Sequence, residues 1–511
     1  MRKFAHTLFA QSLFACGGAV LMLLIGSAAD AGEFAFYDEN VLGSSWEFRC
    51  SAPTEENARQ AGQTALQEIE RLRAVLSTWD QTSEISRWLK TPGAAVSVSP
   101  DLWNVLHQAD QWEKTSGGAF NPRVASAARL WAAAAKAGRP PGEEPLAQAA
   151  AELSQPAWRL GPAGQAERQG EAPVSIDGLA KGYILDCVCR RLRERHSEVT
   201  SFVVNLGGDL RTIGTPQTIS IADPLTPAEN GRPVSRFLLP ANQAVATSGG
   251  YRRFWEIQGQ RYSHLIDPRT ARPAAQVQSA TVTAATAADA DAAATILGVL
   301  DPAAGLKLIA SLPDMECLIV DQQGRLHRSS GWADRERQAP QPLHLTALAD
   351  AAPQRQLLIQ FTLKKPDTFR YRRPYLAIWL ENSEGFPVKT ALLWMMTDVP
   401  GPRWHRELTR WYRNDRIRKE AEGSELIGVI TGATRGPGDY QAVFDGTDNK
   451  GKPLAAGEYL LCIEIAREHG DYKLLRKRVE LGNGPLEPYT FRENPEIEAS
   501  FTYDFPPARE E

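Results

Sequence analysis

Residues 175–186 read SIDGLAKGYILD, and the fold turns on this stretch. It begins in an apolar, strand-like run around Val174 and Ile176, passes through Gly178, and at Ala180-Lys181-Gly182 opens a helix that continues YILDCVCRRL. A glycine turn feeding a helix start leaves backbone N–H groups unpaired, with the positive end of the helix dipole behind them. That is a seat for phosphate, and Lys181 adds a full charge at its rim. A plain structural turn is the commoner outcome of such a pattern, so the flanking chain has to decide.

Upstream, strands and helices alternate. Residues 34–52 alternate apolar and polar as a strand or hairpin, and residues 55–76 space Ala65, Ile69, Leu72 and Leu76 as one face of a helix. LSTWDQTSEISRWL (76–89) puts Trp79 in a loop before a helix start at Ser83-Glu84. A third helix spans 101–115, and 125–151 is an alanine-rich pair broken by GRPPGEEP. Residues 158–171 read as a polar hairpin. Downstream, FVVNLGG (202–208) is a buried strand with Asp209 just past its double glycine. VATSGGYRRF (245–254) places Ser248 in a tight glycine turn, and YSHLIDPRTARP (262–273) is a strand ending in an Asp-Pro turn. SATVTA leads into the helix ADADAAATILGVL, and a last strand pair ends near Trp332. The pattern predicts a mixed α+β domain over 32–335.

Beyond it, 336–354 is a polar, Pro/Ala-rich linker. From 355 to 485, short apolar runs separated by turn residues predict an all-β, Ig-like sandwich, followed by a Pro-rich tail over 486–511. At the other end, Arg2 and Lys3 precede an apolar run ending in Ala29-Asp30-Ala31, the form of a signal peptide over 1–31. The expectation is export, to the periplasm where the cell has one; an uncleaved anchor is the competing reading. The 511 residues are 43% hydrophobic and 23% charged with net charge −4, a globular composition without the basic excess of a nucleic-acid binder. The six cysteines have no disulfide or metal-clip spacing.

Several residues could carry chemistry. Asp291 and Thr295, four apart, put a carboxylate and a hydroxyl on one helical face. This fits either a capped, solvated face or hard oxygen ligands for Mg²⁺. His264, near the Ile266-Asp267-Pro268 turn, is either structural or a general base. Ser248 bonds its own turn or a ligand, and Trp79 packs or lies on a ring.

Together the segments LGSSW, LSTWDQTSEISRW, GGAFNP, DGLAKGYILD, NLGGDL, ATSGGYRRF, SHLIDPRTARP and ADADAAATILGV, in this order, carry a resemblance. From 43 to 320 the chain resembles the FAD:protein FMN transferases, the ApbE family. The resemblance implies an exported α+β enzyme that splits FAD with Mg²⁺, attaches FMN through its phosphate to a Thr or Ser of a target protein, and releases AMP. It implies Asp291, Thr295 and a carbonyl at or near Gly178 as metal ligands, and Lys181 on the pyrophosphate. Trp79 would stack on the isoalloxazine, Asp209 and Ser248 would line the FAD pocket, and His264, near the flavin, would activate the acceptor. Asn121 stands where the family usually has Asp, and Ala271 where it usually has Gly.

The region 355–485 resembles a predicted-periplasmic β-sandwich family found with flavin transferases and membrane redox proteins. Within it, VITGATR (429–435) is similar to the Ser/Thr-Gly-Ala-Thr of proteins that accept FMN, which makes Thr434 a candidate acceptor in the same chain. The expected partners are FAD and flavin-accepting extracytoplasmic redox proteins, with a membrane-associated redox partner also in view. The other readings are an FAD-binding or FAD-hydrolysing protein without transfer, and a self-flavinylated redox carrier. WHRELTRWYRNDRIRK (404–419) interleaves aromatic and basic residues, read as a solvated, partly packed helix or hairpin, or as a docking face for an acidic partner or anionic lipid.

Overall fold

A computed structural model describes residues 32–162, 164–225, 231, 233–250, 254–339, 356–364, 373–395, 407–423, 426, 431–432, 435, 437–467, 471–482, 486–492 and 494–504. The signal segment, most of the linker and Thr434 lie outside the described residues.

The helices are α1 (Glu55–Leu76), α2 (Glu84–Trp88), α3 (Pro100–Thr115), α4 (Ala125–Ala137), α5 (Glu143–Leu153), α6 (Asp177–Arg195), α7 (Ala287–Leu297), α8 (Pro302–Ala310), α9 (Trp332–Gln338) and α10 (Thr409–Glu422). The first domain is built on an eight-stranded sheet in the order Gly32–Val41, Ser44–Ala52, Ser201–Leu206, Asp209–Ile213, Ala244–Gly249, Val277–Ala284, Glu316–Asp321, Leu326–Arg328. Every neighbouring pair is antiparallel. Ser201–Leu206 and Glu316–Asp321 carry apolar runs because both faces of the sheet are covered. Phe202, Val204, Ala246 and Ile319 meet α1, α3, α6 and α7 in the main core. Val203, Val245 and Leu318 point the other way, onto Phe237 and Trp332.

Local chemistry sets the helix ends. Thr54 caps α1 by accepting from Asn57 N–H, Ser83 caps α2, and Thr286 caps α7. α6 begins at Asp177, one turn earlier than the sequence suggests, because the Ile176 carbonyl already accepts from Leu179 and Ala180. Gly178 is therefore in the first turn, and Lys181 one turn inside the helix. The strand holding Ser248 runs through Gly249, with Ser248 opposite Ala280. Ser248 thus sits on a strand, not in the turn expected for it. All five described cysteines are buried and free.

The domain's structure continues past the expected boundary at 335. Trp332 of α9 packs on Phe237 with ring centroids 4.6 Å apart, and Ser235 Oγ donates to Glu336.

The second domain pairs a four-stranded sheet with a five-stranded one. Leu357, Ile359 and Phe361 interleave with Leu376, Ile378, Leu461 and Ile463 between them. The strand Ile497–Asp504 belongs to the sandwich, pairing along Gln356–Leu363, so the region expected as a tail supplies an inner strand. Its alternating Ile497, Ala499 and Phe501 explain this: all three are buried. The basic-aromatic stretch is also more buried than expected. α10 lays Trp411 against the outer face of the five-stranded sheet, and Arg418 is also fully buried. Two buried carboxylates allow it. Glu464 accepts from the N–H groups of Arg410 and Trp411, and Glu381 accepts from Arg410, Asn414 and Trp379.

Candidate active site

Helices α6 and α7 cross in the core with matching stripes. Residues 178, 182 and 186 lie on one face of α6, and 287, 291 and 295 on one face of α7, each at a spacing of four. Gly178 abuts Thr295: a Cβ added there would lie 2.9 Å from Thr295 Oγ1. Gly182 N–H donates to Asp291 Oδ2 at 3.1 Å, and Gly182 lies against the backbone of Ala287 and Ala288. In a helix, the regular acceptor of the Gly182 N–H is the Gly178 carbonyl. The Asp291 carboxylate, the Thr295 hydroxyl and the first-turn backbone at Gly178 therefore converge. Neither the alanine-rich sequence of α7 nor its cap explains a buried aspartate; the Gly182 contact does.

A second group comes from the sheet. Asp209 opens its strand just after the Gly207-Gly208 turn, where both residues have positive φ. A Cβ at Gly207 would also meet Ser44 Oγ at 2.1 Å, so glycine is required there. Asp209 is 3% exposed. It pairs with the Lys181 ammonium and accepts from Thr247 N–H at 3.3 Å. Lys181, expected on a pyrophosphate, is thus oriented by a carboxylate from the sheet.

Like and unlike charges meet at Asp291. Asp291 is 6% exposed. Burial pushes its carboxyl up to about 7, and the neighbouring Asp209 and Asp177 add to the rise, against Lys181 and the Gly182 N–H.

The remaining expected residues fall into two sets. His264, half-buried, follows the strand Gln260–Ser263. The next residue, Leu265, packs where a Cβ on Gly298, at the end of α7, would sit, which brings the His264 loop to within one turn of Thr295. Gly250, two residues after Ser248, lies against Ser263. Trp79 stands apart, 85% exposed. Its loop is nonetheless fixed: Ser83 and Ser86 donate to the Ser77 carbonyl, and Asp80 pairs with Arg73. Among the described residues the Trp79 indole is left in solvent, which does not favour the packing reading. Asn121 also has an explanation. Its amide donates to Glu113 and the Leu153 carbonyl, which an ionised aspartate could not do. Ala271 adopts φ 56, the conformation in which glycine is strain-free.

Sequence reasoning missed three participants: Gly182, Thr247 and Asp186. The signal was present for two of them in the four-residue spacing from Gly178. Among the described residues no three His, Cys, Asp or Glu side chains cluster as a metal centre. The α6–α7 set is of another kind, in which a carboxylate, a hydroxyl and a backbone carbonyl supply hard oxygens suited to Mg²⁺.

Both parts of the chain are similar to known proteins. Residues 42–319 match the profile of the ApbE family, and 356–498 match the one described as "Predicted periplasmic protein (DUF2271)". The FAD:protein FMN transferase of Treponema pallidum is 29% identical over 265 residues, 48% of this chain and 72% of that protein. Its namesake in Haemophilus influenzae is 29% identical over 250 residues, 45% of this chain and 69% of that protein. The crystal structure of the ApbE protein of Thermotoga maritima superposes with a TM-score of 0.52 at 26% identity, covering 60% of this chain and all of that one. The flavinyl transferase ApbE of Pseudomonas stutzeri shares the fold at 23% identity and a TM-score of 0.51, over 60% of this chain and 97% of that one. With more than half of its residues matched, the chain belongs to the ApbE family.

Proposed function

We propose that this chain is an exported, Mg²⁺-dependent FAD:protein FMN transferase. The observation that carries the reading is the α6–α7 crossing, which gathers Gly178, Asp291 and Thr295 beside the Lys181–Asp209 pair. Asp291, Thr295 and the Gly178 carbonyl would hold the cation, which would offset the cost of burying the Asp291 carboxylate. When bound, Mg²⁺ neutralises phosphate oxygens and polarises phosphorus.

The chain's own residues do the rest. Lys181, oriented by Asp209, holds the pyrophosphate. Trp79 stacks on the isoalloxazine, and Ser248 lines the pocket. A Thr or Ser hydroxyl of the acceptor attacks the FMN phosphorus. Its proton passes to His264, the bond from that phosphorus to the bridging oxygen breaks, and AMP leaves with the bridging oxygen. Positioning and charge neutralisation supply most of the rate.

The domain scheme is a signal segment over 1–31, the transferase unit through α9, and the sandwich. Thr434 is the acceptor candidate within the chain. The test incubates purified protein with FAD, Mg²⁺ and a domain bearing the Thr-Gly-Ala-Thr segment, followed by denaturation, flavin fluorescence and intact mass. Addition of one FMN to protein is the expected result. Free FMN and AMP alone would make the chain an FAD hydrolase, and unimpaired transfer by Asp291→Ala would refute the site. Loss of self-addition in Thr434→Ala alone would assign Thr434.

A further inference from the structure

The last residue of the DGLAKGYILD motif has no task in the transfer chemistry. Asp186 lies two turns along α6 from Gly178, roughly 12 Å away at the helical rise. Its carboxylate nevertheless makes a specific contact. Asp186 Oδ1 accepts from Ala287 N–H at 2.8 Å, and Oδ2 accepts from Ala288 N–H at 3.0 Å. These are the first two residues of α7. Arg211, from the sheet, pairs with Asp186, and its other Nη donates to the Ala285 carbonyl just before the helix. The cap Thr286 covers the next N–H, that of Asp289.

The start of α7 is thus held from α6. Each contact is a carboxylate on a helix N-terminus, a charge-assisted bond aligned with the dipole. The three rungs between the helices run in antiparallel order: Gly178 with Thr295, Gly182 with Asp291, and Asp186 with Ala287 and Ala288. Because α7 is rigid, fixing its first turn fixes where its third turn presents Thr295.

We propose that Asp186 is a positioning residue: its grip on α7 sets the register in which Asp291 and Thr295 face Gly178. The inference rests on the reading that these oxygens hold the divalent cation. Groups that orient ligands from behind typically contribute about 10- to 100-fold in metal affinity or activity. Asn at this position presents one acceptor and one donor where two N–H groups require two acceptors.

The experiment uses the full chain, with Mn²⁺ standing in for Mg²⁺. Mn²⁺ affinity is measured by electron paramagnetic resonance in wild type, Asp186→Asn, Arg211→Gln and Asp291→Ala. Amide exchange over 285–297 and the kcat and KM for FAD are measured alongside. Asp186→Asn is expected to lose about 10- to 100-fold in Mn²⁺ affinity and kcat, with KM for FAD nearly constant and faster exchange at Ala287 and Ala288. Arg211→Gln moves the same way by less. A folded Asp186→Asn with wild-type Mn²⁺ affinity and wild-type protection at those amides overturns the proposal. If that variant does not fold, wild-type Mn²⁺ affinity in Arg211→Gln overturns it. Wild-type Mn²⁺ affinity in Asp291→Ala would overturn the metal reading itself, a separately visible failure.

Discussion

Replacing Gly182 with alanine is the sharpest perturbation of the α6–α7 crossing. The added Cβ would lie 2.2 Å from the Ala287 carbonyl oxygen, 2.5 Å from its carbon and 2.6 Å from Ala288 Cα. Carbon atoms pack at about 3.5–4.0 Å, so the helices must part by about 1 Å. All three atoms are backbone, and no rotamer change relieves them. Alanine favours the helix itself by about 1 kcal/mol, while overpacking costs about 1–3 kcal/mol. The net loss of stability is modest, about 0–2 kcal/mol, read as a fall of at most a few degrees in Tm. Function suffers more. Parting the helices breaks the 3.1 Å bond from Gly182 N–H to Asp291 and draws Thr295 away from Gly178. A misplacement of about 1 Å at reacting groups costs about 100-fold, or about 2.7 kcal/mol in activation free energy. Single-turnover FMN transfer and thermal unfolding on the same preparation read both terms. Transfer within threefold of wild type, with an unchanged or raised Tm, would refute the claim that this contact sets the site's geometry.

Three further outcomes are expected. Trp79→Ala raises KM for FAD severalfold while Tm stays put, since an exposed side chain contributes within about 0.5 kcal/mol to stability; a drop in Tm without a KM effect would return Trp79 to packing. Glu464→Gln leaves one α10 N–H without an acceptor, costs about 1–3 kcal/mol by chemical denaturation, and spares transfer to an external acceptor. Asp321 is buried, which raises its pKa, but hydrogen bonds from His327, Arg325 and two backbone N–H groups outweigh burial and hold it at about 2. A depressed carboxyl stabilises the fold above its unfolded pKa and loses that contribution as pH falls towards 2. Allowing for the exposed Arg325, Asp321→Asn costs about 1–2 kcal/mol at pH 7, and the difference from wild type closes in acid. A pH-independent difference would assign the cost to packing.

The parts legible in the sequence were those set by local rules. The bounds of α1, the Ser83 cap and the α4–α5 pair follow from periodicity and capping. The Asp291–Thr295 face was visible as a spacing, but its partner was not: Gly182 meets Asp291 across 109 positions of chain. Lys181 reads as a free phosphate ligand because Asp209 arrives from a strand 28 residues later. The burial of α10 was hidden for a related reason. Arg418 and Asp415 look like solvent residues, and Glu381 and Glu464 look out of place in apolar strands. Glu381 and Glu464 are buried because α10 supplies donors that their own sheet does not, and Arg418 is buried with Asp415 and Glu422 of its own helix meeting its charge. The last strand was obscured by the Pro-rich composition around it, although Ile497, Ala499 and Phe501 keep the period of two.

The charges around the crossing couple the two halves of the bound substrate complex. Asp291 lies near the carboxylates of Asp209 and Asp177 and near the Lys181 ammonium, which Asp209 engages. A pyrophosphate brought to this place alone meets carboxylates in a poorly screened interior, where like charges at close range repel strongly. A divalent cation on Asp291 would reverse that sign locally and leave Lys181 to hold the anion. FAD affinity should therefore depend on the cation. Flavin-fluorescence titration with EDTA in place of Mg²⁺ is expected to weaken FAD binding by about tenfold or more, equal to about 1.4 kcal/mol. In Asp291→Asn the dependence should shrink, because removing one carboxylate relieves the repulsion and removes the cation's ligand together. Equal affinity with and without Mg²⁺ in wild type would mean that ring contacts, such as that of Trp79, dominate FAD binding, and that the carboxylates at α6 and α7 lie outside the reach of the phosphates.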